Sequence, residues 1–127
     1  MQDSSSSWTL DHQSMVGIYG QLVGHGASWA RQVASGTPLS QVLTLESLFW
    51  AGFNIASETL SRTASVATGT ETAGILAPAA VQVAALNMYN GPAKRAISDV
   101  SGGNVMALLD SPFLAGSLGS VIAKSYF

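Results

Sequence analysis

The chain has 127 residues, enough for one domain with a single modest core. Charged residues make up 9% of it, against about 25% in ordinary soluble domains, while the apolar share of 47% is normal. Five scattered basic residues and a net charge of −2 argue against a nucleic-acid reader, and the lack of cysteine excludes disulfides and thiolate metal sites.

In chain order, residues 1–8 read as a polar tail and residues 9–127 as a single helical domain. The start, MQDSSSSWTLD, has neither a basic stretch nor an apolar run, so no secretory signal is expected. A cytoplasmic place, or one within an assembled particle, follows. From Thr9 the apolar positions Leu10, Met15, Val16, Ile18, Tyr19, Leu22 and Val23 recur at helical spacing through Val33. Gly17, Gly20, Gly24 and Gly26 interrupt that helix. Each costs it about 1 kcal/mol relative to Ala, which is tolerable where backbones must approach closely.

SGTPLS, 35–40, is a turn. The next helix carries Leu45, Leu48, Phe49, Gly52, Ala56, Leu60 and Thr63 on one stripe, with Thr44 as its cap and Glu46 in its first turn. Glu58 and Arg62 form an i,i+4 pair expected on its exposed face, worth about 0.3–0.5 kcal/mol. ATGTET, 67–72, breaks the pattern. A helix over 70–90 follows, and Pro78 should kink it or start it afresh. Asn90-Gly91-Pro92 stops it, a short helix over 92–100 ends at Gly102-Gly103, and Asp110-Ser111-Pro112 opens a last helix that runs to the C-terminus. The expected fold is all-α: a small bundle, or helical hairpins, of four to five helices with short loops.

No stretch carries a catalytic or cofactor signature, so a non-enzymatic protein without metal or cofactor is expected. Asp11, His12 and His25 match no ligand spacing. GQLVGHG, 20–26, lacks the strand and the Lys-Ser/Thr of a phosphate cradle. The uncharged run from Thr72 to Ala93 is long enough to span a bilayer, but it is rich in Ala and holds Pro78, Gln82, Asn87 and Asn90, which disfavours lipid.

Small residues at four-residue spacing form two faces, Gly20 with Gly24 and Ala115 with Gly119 and Ala123. Such faces let two helix backbones come close. The Ala79–Leu86 stretch, with Ala80 and Ala84, supplies either bundle core or a third contact. Together with the uncharged surface these faces predict self-association, with the protein's partner a copy of itself, in a filament, ribbon or shell. The alternatives are a monomeric or dimeric helical adaptor, and a membrane-associated subunit with the 72–93 run inserted.

One region also resembles a known family. Leu48-Phe49 opens SLFWAGFNIASETLSRTASVAT, TGTET makes a polar break, and AAVQVAALNMYN closes with Leu86 and Tyr89. This pattern, over residues 48–92, resembles the Reb-type proteins that polymerise into R-bodies; Pro78 and residues 1–44 depart from it. The resemblance implies a cytoplasmic bacterial ribbon that coils and extends on acidification. The groups able to sense acid would then be the seven carboxylates and two histidines.

Overall fold

Short polar side chains set the helix boundaries. Thr44 Oγ1 accepts a hydrogen bond from the Ser47 amide, and Ser47 Oγ accepts one from the Thr44 amide, so a capping box opens a helix there. Thr70, Asn90 and Ser111 cap the helices that follow them through the amides of Ala73, Ala93 and Leu114. Gly69 closes the helix before Thr70 in the left-handed conformation, its amide bonded to the Ser65 carbonyl.

The resulting architecture, in a computed structural model that describes residues 12–127, is all-α with no strand among those residues. The helices are α1 (His12–Ala34), α2 (Leu39–Val42), α3 (Leu45–Ser57), α4 (Leu60–Thr68), α5 (Glu71–Tyr89), α6 (Gly91–Ser101) and α7 (Pro112–Tyr126), with a 3-10 segment, Val105–Asp110, before α7. There are thus more helical segments than the expected four or five. The expected α3 splits at Glu58-Thr59, and the turn after α1 holds the single-turn α2. The N-terminal tail, with Leu10 and Asp11, lies outside the described residues.

α7 runs antiparallel along α1. At one end Ser28 Oγ donates to the Leu109 carbonyl at 2.7 Å and Arg31 faces Asp110; at the other, His12 Nε2–H donates to the Phe127 carbonyl at 2.7 Å. α3 and α5 lie across this pair, and α4 packs on α5. Trp50, Leu86, Ala93, Ala96, Phe113 and Leu114 form an apolar cluster beneath α6. Beyond this cluster, the buried Val42 and scattered alanines, the interior is largely polar.

The helical periods were legible, but the faces are reversed. Leu45, Leu48 and Phe49 point outward, while Ser47, Trp50, Ala51, Asn54 and Ser57 are the buried side of α3. On α1, Met15, Tyr19, Leu22 and Val23 are exposed, and Ser14, Gly17, Gly20, Gln21, Gly24, His25 and Ser28 are buried. The Glu58–Arg62 surface pair is also corrected. The chain turns at Glu58-Thr59, and the Glu58 carboxylate goes inside to another partner.

Candidate functional site

Glu58 stands at the α3–α4 turn and Lys124 on the last turn of α7, with both side chains fully buried. Lys124 Nζ donates to Glu58 Oε1 at 2.9 Å, to Ser61 Oγ at 3.1 Å and to the Gly74 carbonyl at 3.2 Å, so all three ammonium protons have acceptors. Glu58 Oε2 accepts from Gln21 Nε2 at 2.7 Å and from Gln82 Nε2 at 2.8 Å. Around this pair, Ser117 Oγ donates to Gln82 Oε1 at 2.6 Å and Asn54 Nδ2 to the Phe113 carbonyl at 3.0 Å. Residues from α1, α3, α4, α5 and α7 are tied together in one network.

Two backbone features make room for it. Gly17 stands where any Cβ would overlap the Glu58 carboxylate. Pro78 explains the third Lys124 contact. Proline has no N–H, so it leaves the carbonyl four residues back without its helical donor. That carbonyl belongs to Gly74, and the Lys124 ammonium supplies the missing proton. Pro78 therefore neither ends nor restarts α5. It sits buried inside a continuous helix, and its orphaned acceptor becomes part of the charge site.

His25 lies beside this network. Its Nδ1–H donates to the Gln21 carbonyl at 2.8 Å, its ring packs against Trp29 and Phe113, and its buried Nε2 has no partner among the described residues. Burial holds its pKa below the ordinary 6.5, against the opposing pull of the Gln21 hydrogen bond. A protonated ring would add a buried donor without an acceptor. The sign follows: the folded chain refuses a proton that the unfolded chain takes up, so this contribution is complete above pH 6.5 and is lost as pH falls below it. A His25→Gln chain should therefore lose less stability than wild type between pH 7.5 and pH 5.5. Urea midpoints at the two pH values check this, and parallel losses in the two proteins would contradict it.

The expected contact residues fall into two groups. Gly20, Gly24, Ala115 and Gly119 meet each other within the chain. A Cβ on Gly20 would overlap the Gly119 carbonyl, and one on Gly24 the Ala115 carbonyl. Ala123 is buried on the same side of α7. The two small-residue faces, which could serve packing within the chain or contact with a copy, thus close on one another within the chain. Ala80 and Ala84 are exposed on the outer side of α5, beside Leu76, Val81 and Met88.

That outer side is part of a wider pattern. Among the described residues, the large apolar side chains that are buried are Val42, Trp50, Leu86, Phe113 and Leu114. Exposed ones include Tyr19, Leu22, Phe49, Leu76, Val81, Met88, Ile122 and Tyr126. Exposed charges are few: Arg31, Glu46 and Asp110 lie at one end of the bundle and Glu71 at the other, with Arg62 on α4 and Lys94, Arg95 and Asp99 on α6. Along α1 no charge occurs between His12 and Arg31, about 28 Å of helix.

Sequence reasoning missed Gln21, Asn54, Glu58, Gln82 and Lys124 as a set. A signal was present. Ser14, Gly17, Gln21, Gly24 and Ser28 repeat at three- and four-residue steps, as do Gly74, Pro78, Gln82 and Leu86. The inward stripe is written in small and polar residues rather than apolar ones. Chemically the Glu58–Lys124 pair is hydrogen-bonded by its neighbours and shielded from solvent, so the arrangement holds helices together. The fold and its interior define an all-α bundle with a polar network at its centre and many large apolar side chains on its surface. No family model, curated protein or solved structure matches the chain.

Proposed function

We propose that the protein is a non-enzymatic structural subunit that assembles with copies of itself, its apolar outer faces becoming buried between neighbours. The observation that carries this reading is the reversal of faces. Leu, Val, Phe, Met and Tyr point outward from α1, α3, α5 and α7, while Gln, Asn and an ion pair occupy the centre. Fully burying one such side chain is worth about 1.5–3 kcal/mol, and contiguous exposed apolar surface marks a surface meant for contact. The flank of α1 carries no charge between His12 and Arg31, which leaves that face free to pack against a neighbour. The resemblance to Reb-type proteins points the same way, toward a ribbon.

A second reading replaces neighbouring copies by lipid. It is favoured by the uncharged stretch along α1 and by α5, which is long and apolar enough to cross a membrane and is mostly unburied within the bundle. The outer surface weighs against lipid. α4 presents Arg62, Thr63 and Thr68, and α5 presents Ala80 and Ala84, groups that pack well against protein and gain little from hydrocarbon.

Electron microscopy and sedimentation of detergent-free protein test the proposal. Ordered polymers are expected, and Leu22→Glu with Val81→Glu should abolish them while helical circular dichroism persists. A soluble monomer at all concentrations overturns self-assembly. Protein that stays in solution only with detergent, and floats with phosphatidylcholine vesicles, transfers the surface to lipid.

A further inference from the structure

We propose that the C-terminal block Val105–Phe127 is an exchangeable element: in the assembled protein the α7 of one copy docks on the α1–α3–α5 bed of the next. This rests on the self-assembly reading and names the contact through which copies are joined.

Three observations carry it. Every residue of the α1–α3–α5 bed precedes the block in the chain. Gly17, Gly20, Gln21, Gly24, Asn54, Glu58, Gly74 and Gln82 all precede residue 91, so the helix they receive can come from their own chain or from another. The link between bed and block is short and built to turn. Gly102-Gly103-Asn104 joins α6 to the 3-10 segment, Gly103 has φ of 104°, and Val105 and Met106 beyond it are exposed. Opening a tight turn of this kind into an extended link is the usual route by which an identical element is traded between copies, because every native contact is recovered in the exchanged state.

The third observation is the chemistry of the α7 seat. Beyond Phe113 and Leu114 in its first turn, α7 presents Ala115, Gly116, Ser117, Gly119, Ser120, Ala123 and Lys124 to the bed. Undocking it returns the ion pair to water and, apart from Phe113 and Leu114 leaving the Trp50–Leu86 cluster, uncovers mostly small and polar side chains. Its larger residues Leu118, Ile122, Tyr126 and Phe127 already face outward. The small-residue faces therefore do not add a second copy onto a closed bundle. They close the bundle, and the copy that supplies α7 is what changes.

The ion pair gives a decisive test. Glu58→Lys and Lys124→Glu each place two like charges at the centre of a chain that keeps its own α7. In a 1:1 mixture refolded together, exchange lets the bed of the E58K chain receive the α7 of the K124E chain, and the reverse, so that opposite charges meet at every seat. Neither single variant should form sedimenting polymer, whereas the mixture should recover at least half of the wild-type amount. Polymer from wild type together with a mixture that pellets no more than its separate components overturns exchange and leaves self-assembly standing; a wild type that forms no polymer removes both.

A second measurement does not depend on the buried pair. The chain has no cysteine, and Arg31 and Asp110 face each other at 3.6 Å from the bed and the block, both well exposed. Chains carrying only R31C are assembled with chains carrying only D110C and treated with a short bis-maleimide crosslinker. Mixed covalent dimers are expected in the polymer and not in the monomer fraction. Their absence from the polymer means that each α7 stays home.

Discussion

Replacing Lys124 by Met should destabilise the fold by about 3–5 kcal/mol, a fall of about 10–20 °C in Tm for a chain of this size. The substitution keeps the side chain unbranched, makes it one atom shorter and removes the charge. Glu58 is then left as a fully buried carboxylate whose Oε1 has lost its ammonium, and Ser61 Oγ and the Gly74 carbonyl lose a donor. No solvent reaches either partner to screen or rehydrate the loss. A cycle with Glu58→Gln should show the two substitutions non-additive, the double variant costing less than the sum by about 1–3 kcal/mol. Urea unfolding measures this directly, and a Lys124→Met protein within 1 kcal/mol of wild type would mean that the pair does not close in solution.

Pro78 sharpens that prediction. In wild type, Pro78→Ala restores an N–H whose natural acceptor, the Gly74 carbonyl, is already served by Lys124. In a Lys124→Met background the same carbonyl is bare, and the restored helical hydrogen bond should recover about 1 kcal/mol more than it does in wild type. Comparing the two backgrounds cancels the effect of proline on the unfolded chain.

The residues that were legible in the sequence are those that act locally. Thr44 and Ser111 signal helix starts because a cap bonds to an amide two or three positions away. The small faces of α1 and α7 were legible as places of close approach, since the glycine cost needs a return. What they approach was not. Two faces that fit one another across about 95 residues of chain look, from the sequence, the same as two faces that fit a neighbour. The inward face of α3 was misread because a helical stripe of Leu and Phe ordinarily faces a core. In this chain Asn54 and Glu58 face inward, and the stripe faces out. Glu58 was paired with Arg62 by spacing, while its partner lies 66 positions away. Burial with a distant opposite charge leaves no local mark.

Gly24→Ala and Gly26→Ala, two positions apart on one helix, should change stability in opposite directions. Both replace an interior helical glycine by the best helix former, a gain of about 1 kcal/mol when nothing else changes. At Gly26 nothing else does change. The site is exposed and a new methyl meets no atom within 4 Å, so Gly26→Ala should stabilise by about that amount. At Gly24 the methyl would overlap the Ala115 carbonyl and crowd the Gly116 Cα at 2.7 Å. Both are backbone, and neither can rotate away as the tip of a side chain would. The α1–α7 crossing has to open, and opening it draws Ser117 and Lys124 off Gln82 and Glu58, so the steric cost is joined by hydrogen bonds stretched inside the bundle. A net loss of about 3 kcal/mol is expected, at the upper end of the range for overpacking. Thermal unfolding of the two variants beside wild type is enough to check the pair. A Gly24→Ala protein as stable as Gly26→Ala would place the two backbones further apart than this crossing and would remove the seat on which the exchange of α7 depends.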